Sequence, residues 1–272
     1  MRMRGFTLME LIVVIVILGI VGGISARFLS QSVGLYHDSS LQQERIAESR
    51  FVLERLSREI AGIHPFSLRD PFSGNSTYQG KCIEYIRLSA AGSYLSSASG
   101  QSSLTLVDTP IDQLTSNATS AIAVGRRLSI RTQSATPLYA SADSSTVKTI
   151  KTYNAAGPTV TFNSVFGANS TGYRYVILDN SGPTAWCFFN NKLYRYSGYN
   201  TAYNFTYTGN WFAQNATSDR LMAEDLLSQS QFSIVSSSVA HNTALNISLV
   251  FAMDDDNNGL AFNRQMQVNY VP

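Results

Sequence analysis

The chain predicts an α+β protein, with one long amino-terminal α-helix followed by a head built mainly of antiparallel β-strands. Three observations predict it. From Phe6 to Ile24 the only polar interruptions are Thr7 and Glu10, roughly 19 residues, close to the ~20 that cross a hydrocarbon core as a helix. Beyond that run, Leu29, Val33 and Tyr36, then Leu53, Leu56, Ile60 and Ile63, keep the three-and-four spacing of a helix with one buried stripe. From Phe66 onward the sequence turns to Ser, Thr, Asn, Gly and Tyr with little charge and no sustained helical period.

The helix comes first. If continuous from Thr7 to His64 it would be about 85 Å long, and Pro65 ends the pattern. Arg50 with Glu54, and Glu54 with Arg58, are four apart and give it small surface support. Two places could interrupt it: Gly19, Gly22 and Gly23, and the HDSSLQQE stretch, where Ser39 or Ser40 could cap a new helix. Gly19 and Gly23 also form a small-x-x-x-small pair that permits close helix approach in a membrane.

The strands follow. KCIEYIRL (81–88), YRYVILD (173–179), AWCFFNNKLYRY (185–196), ALNISLVFAM (244–253) and LAFNRQMQVNYV (260–271) read as strands, with Asn190 and Asn191 suited to a two-residue hairpin turn. TSDRLMAEDLLSQ (217–229) is the one late stretch with a helical look. Residues 89–147 are Ser/Thr-rich and poor in large apolar side chains, which predicts long loops or short edge strands.

Charge places the chain across a membrane. Arg2 and Arg4 precede the apolar run and no basic residue returns until Arg27, so the amino terminus stays cytoplasmic and the bulk lies outside. Glu10 inside the run is costly, at about 3 kcal/mol near mid-membrane, and an ionisable group there needs a partner. A glycine directly follows the short basic piece MRMR, so a cut behind Gly5 would strip the leader and keep the helix.

That arrangement, Gly5 followed by FTLMELIVV with Glu10 at the fifth position after the cut, resembles the class III leader of type IV prepilins and type II secretion pseudopilins. The resemblance implies cleavage between Gly5 and Phe6 by a prepilin peptidase, N-methylation of Phe6 by the same enzyme, and pairing of Glu10 with the cationic amino terminus of a neighbouring subunit. It also implies other major and minor pilins as partners through the stem. The implied organisation is a leader (1–5), a transmembrane helix (6–28), a periplasmic continuation of the stem (29–64) and a β-rich head (65–272). RFVLERLSREI, CIEYI, AWCFFNNKLYRYSGY and LMAEDLLSQSQFSI further resemble large minor pilins, among them the MshO-type minor prepilins of the mannose-sensitive haemagglutinin pilus system. No proline lies between Phe6 and His64, whereas many major pilins kink their stem at one.

Composition limits the function classes. Removing residues 1–5 takes Arg2 and Arg4 with it and leaves 18 basic against 18 acidic residues, so no basic surface points to a nucleic-acid partner. Cys82 and Cys187 both fall in the exported part and read first as a disulfide, the alternative being two separate buried thiols. Asp254, Asp256, Asn258 and Gly259 fit the first positions of a calcium loop, but the twelfth position is Gln265 and Asn258-Gly259 suits a hairpin turn, which is the better reading. His37, His64 and His241 fall in no nucleophile or metal motif. The expectation is therefore a non-enzymatic subunit with no cofactor, no metal and no small-molecule substrate. The aromatic run from Tyr194 to Trp211 leaves a glycan- or receptor-binding surface as the rival reading.

Overall fold

The structure is a computed structural model that describes residues 8–110, 122–199, 211–235, 243–253 and 259–268. Helix α1 runs from Leu8 to Ile60 without a break, 53 residues and about 80 Å at 1.5 Å per residue. Neither the glycines nor Ser39 and Ser40 interrupt it, because each is one unfavourable step inside a helix whose neighbours continue the hydrogen-bond ladder. The helix ends before the proline. Ile63 then bridges to Arg87, and His64 caps a short 3₁₀ turn at Pro65–Ser67 by accepting the Phe66 N–H on its ring nitrogen.

The head is a sheet with a second body inserted in it. Strand β1 (Cys82–Tyr85) leads into β2 (Leu88–Ser93), β3 (Ser103–Thr105), β4 (Arg127–Ser129), the one-turn helix α2 (Thr136–Tyr139), β5 (Val147–Asn154), β6 (Thr159–Phe162) and β7 (Arg174–Leu178). The chain then returns as β8 (Thr184–Phe189), directly antiparallel to β1, and continues into β9 (Lys192–Ser197), α3 (Trp211–Asn215), β10 (Ser218–Ala223), β11 (Gln231–Val235), β12 (Ala244–Ala252) and β13 (Gly259–Gln267).

Two sheets, ordered β1-β8-β9-β10 and β11-β12-β13, pack on the far half of α1. Val52, Leu56 and Ile60 of the helix meet Ile83, Trp186, Leu193, Leu245, Leu249 and Phe251 in one core. Of the stripe the spacing predicts, Leu56, Ile60 and Ile63 are buried, Val52 takes the place of the half-buried Leu53, and Leu29, Val33 and Tyr36 stand exposed. Asn190 and Asn191 both take positive φ, 49° and 60°, in the turn joining β8 to β9, the backbone that a tight hairpin requires and Asn tolerates.

The inserted body, between β1 and β8, has the short strands and long connections expected of residues 89–147 but joins them into one sheet. Its six strands are ordered β2-β7-β4-β5-β6-β3, and beyond their ends Tyr94 bridges Leu106, with Leu95 N–H to Thr105 O and Val107 N–H to Ser93 O both at 2.9 Å. The last strand therefore rejoins the first and the sheet closes into a small barrel around its own core of Leu104, Leu128, Ile150, Phe166, Tyr175 and Ile177. Strand β4 is short, as expected, yet lies in the interior between β5 and β7. Gly92 faces Tyr175 across β2 and β7, where a Cβ would lie 2.5 Å from the tyrosine hydroxyl; only glycine lets that ring cross the strand.

The 217–229 stretch is corrected too. Residues 218–223 form strand β10, paired with β9 from Ser218↔Ser197 onward, because burial of Met222 and Ala223 against the core decides over a weak helical preference.

Candidate assembly stem and its anchorage

Helix α1 leaves the head at Arg45, the first buried residue along it. From Leu8 to Glu44 it projects about 55 Å, and its apolar window is not buried against any described part of the chain. Leu11, Ile15, Leu18, Val21, Phe28 and Tyr36 all stand exposed. Exposed apolar surface of this extent marks a face meant for lipid or for other protein, and it is the one described helix long and apolar enough to cross a membrane. Glu10 sits in the first turn of α1 and is exposed at the surface of the single chain. Gly5 and Phe6 lie outside the described residues.

The head grips the helix by charge as well as by packing. At the exit, Arg45 Nη2 donates to Asp225 Oδ2 at 2.5 Å and Nη1 to Glu48 Oε2 at 3.2 Å, while its guanidinium lies 5.7 Å from the Phe251 ring centroid. Glu48 Oε1 accepts the Glu224 N–H at 2.8 Å. Asp225 holds this position at φ +54°. Deeper, Glu59 accepts from Arg195 Nε at 3.0 Å and from Arg55 Nε at 2.8 Å, and also from the Tyr85 hydroxyl, which itself accepts the Trp186 indole N–H at 2.9 Å. Burial alone would push the Glu59 carboxyl up, but the Tyr85 hydrogen bond and the Arg195 charge hold it below the ordinary carboxylate value. Burial, reinforced by the Glu59 charge, pushes the Tyr85 phenol well up. A polar residue three positions after Leu56 in an otherwise apolar stripe was the one sign in the sequence of this cluster. The partners expected for Glu54 are replaced by Arg264 of β13, at 3.1 Å.

Cys82 and Cys187 are bonded to each other. They face each other across β1 and β8, so the bridge closes the neck through which the chain enters and leaves the barrel. Beside the neck, Glu84 is fully buried and bonded to Arg69 Nε at 2.7 Å and the Tyr199 hydroxyl at 3.0 Å. Burial pushes its carboxyl up against the pull of Arg69. Arg69 also stacks on Tyr139 of α2, 3.5 Å from its centroid, and the Tyr139 hydroxyl donates to Ser67 O at 2.8 Å. These contacts fasten barrel to head.

The other candidate sites resolve as follows. His64 is buried, and burial lowers its pKa to about 4. Its Nδ1 accepts the Phe66 N–H, so the neutral ring carries its proton on Nε2 and cannot take one from Ser129 Oγ, 3.5 Å away. Asp254, Asp256 and Asn258 lie outside the described residues; they connect β12 to β13, which pair up to Ala252↔Gly259. Among the described residues no group of acidic, His and Cys side chains is placed to hold a metal. Of the aromatic run, Tyr196 and Tyr199 are buried in a cluster with Phe72, Phe212 and the disulfide, and Tyr194 and Trp211 are half-buried against it. Tyr203 and Tyr207 lie outside the described residues.

A bare apolar helix emerging from a β-rich head gripped on its far half is the build of a stem-and-head subunit. Residues 1–26 match the family described as the prokaryotic N-terminal methylation motif. The chain therefore carries the amino-terminal motif of type IV prepilins and pseudopilins, which implies processing by a prepilin peptidase, and its apolar helix is consistent with an inner-membrane prepilin. Neither the curated proteins nor the solved structures contain a match to the chain.

Proposed function

We propose that the protein is a non-enzymatic minor pilin-like subunit that initiates or primes assembly of a type IV pilus, of the kind the mannose-sensitive haemagglutinin system builds, at or near its tip. A peptidase cuts between Gly5 and Phe6 and methylates Phe6. The subunit waits in the inner membrane through residues 6–28, with 29–64 and the head (65–272) in the periplasm, then joins a filament by packing its stem against other pilins. Glu10 pairs with the amino terminus of a neighbouring stem, recovering part of the cost of each charge in low dielectric.

The observation that carries this reading is the methylation motif running into a helix whose residues from Leu8 to Ser40 are exposed among the described residues. The barrel supports low copy number, because a two-body head on every stem would crowd a tightly wound filament. Burial of Tyr196 and Tyr199, with Tyr194 and Trp211 half-buried against them, favours an assembly role over an aromatic adhesive surface. The test is a chromosomal deletion scored for pilus number and for attachment. Loss of pili restored by the wild-type gene supports priming; normal pilus number with lost attachment would replace it with an adhesin, and lost protein secretion with normal pili would indicate a type II pseudopilin.

A further inference from the structure

The sheet edges of the head are not managed alike. A strand edge with unpaired N–H and C=O groups is a template for another chain, and proteins blunt such edges with charge, proline, bulges or cover. The barrel closes on itself. The outer edge of β1 is covered where Arg69 and Glu84 exchange backbone hydrogen bonds, both 2.9 Å. At β11, Phe232 N–H reaches Gly80 O at 2.7 Å. Strand β10 carries Asp219 and Arg220 and a bulge between Leu221 and Ala223.

Strand β13 has no proline, bulge or edge cover among the described residues. It pairs with β12 over nine residues in unbroken register. Continuing that register, Val268 N–H donates to Thr243 O at 2.8 Å, so the even-numbered residues 260–266 bond inward to β12 and Gly259, Ala261, Asn263, Gln265 and Gln267 turn their backbone groups to the open side. The same five residues are exposed. The strand's one charge, Arg264, is turned to the helix face and tied to Glu54. No outward-facing position of β11, β12 or β13 carries a charge, and a shallow depression of about 280 Å³ crosses the sheet from Gln231 and Ser233 of β11 over Ser248 of β12 to Asn263, Arg264 and Gln265 of β13.

We infer that the open edge of β13 is a docking site for an extended, uncharged segment of a partner protein, which adds to the β11-β12-β13 sheet as a fourth strand. Backbone groups supply the affinity, and the neutral outward-facing side chains of β13 offer a charged strand no ion-pair partner. The same strand of a second copy does not fit. Antiparallel pairing of β13 with itself needs a two-fold axis perpendicular to the sheet, which reverses every direction lying along the sheet and so points two stems oppositely; this exclusion rests on the proposed anchoring of both stems in one membrane.

The test places a photo-crosslinking residue, p-benzoylphenylalanine, at 261, 263 or 265 of the full chain in cells that assemble the filament. Strand addition predicts adducts on one partner segment, stepping along it two residues at a time. Asn263→Pro removes an edge N–H that no described residue accepts, a change edge strands tolerate, and is expected to cut adduct yield at 261 and 265 at least tenfold while hydrogen exchange in β12 stays unchanged. Adducts absent at all three positions, scattered over unrelated segments, or formed with the β13 of another copy would each overturn the inference. Processing at Gly5 is read in the same cells: processed protein without adducts sinks this inference alone, and uncleaved protein with adducts sinks the stem reading alone.

Discussion

Arg195, on β9, places its Nε 3.0 Å from both carboxylate oxygens of Glu59, and both side chains are about nine-tenths buried. This pair ties the stem helix to the sheet that carries the disulfide. A motion of the stem therefore has to be shared by the head or break a buried charge pair.

Breaking it is expected to be costly. Arg195→Met leaves Glu59 with Arg55 and Tyr85 in a site built for another cation, and loss of one partner of a buried pair costs about 3 to 5 kcal/mol. Urea unfolding of the full chain in detergent should show a lowered midpoint with an unchanged slope. The double change Glu59→Leu with Arg195→Met should recover part of the loss; an additive loss would mean that the pair contributes only by packing.

Removing the disulfide tests the two-body head. The bridge spans 105 residues, and Cys82→Ala with Cys187→Ala should lower stability by up to about 4 to 5 kcal/mol in the loop-entropy account. Because β2 and β7 pair independently of it, the barrel amides should keep their protection while those of β1 and β8 exchange faster. Equal loss in barrel and neck would show that the insertion has no separate cooperativity.

The buried His64 gives the head an acid sensitivity of predictable sign. Its folded pKa of about 4 lies below the unfolded value of 6.5, so the unfolded chain binds the proton first. Its stability contribution is complete above pH 6.5 and declines as pH falls toward 4, by about 3 kcal/mol in all. Lowered Glu59 acts in the same direction at lower pH, and raised Glu84 opposes it. The measurement is therefore a difference: between pH 7 and 4.5, His64→Gln should lose less stability than wild type, and parallel curves would refute the assignment.

For Glu10 the expected separation is between insertion and assembly. Glu10→Ala removes a costly carboxylate, so membrane content should hold or rise, and cleavage behind Gly5 should continue. Pilus number should fall toward that of the deletion strain, because a neighbour's amine loses its partner. Wild-type piliation with the variant would show that this charge neither sets register nor recruits a subunit.

The strands around Cys187 and the β12–β13 hairpin were legible because each combines alternation or a dense apolar run with a turn signal, as at Asn190-Asn191. The barrel was not. Leu104, Leu128 and Val160 are nearly isolated apolar residues in a Ser/Thr background, and strands of three or four residues such as β3, β4 and β6 are too short to display a period. Residues 218–223 misled for a related reason: Leu221, Met222 and Leu226 carry helical spacing, and only pairing with β9 turns them into a strand.

The sequence alone determined the membrane-length helix, its processing motif, the α+β class and the presence of a bondable cysteine pair, since these rest on composition and on spacings within a few residues. The tertiary structure alone decided that the helix runs unbroken into the head, that residues between the cysteines close into a barrel, and that β13 is left with an open edge. Those outcomes depend on which distant segments become neighbours. Loop closure over tens of residues is set by the summed burial of many side chains and leaves no local pattern to read.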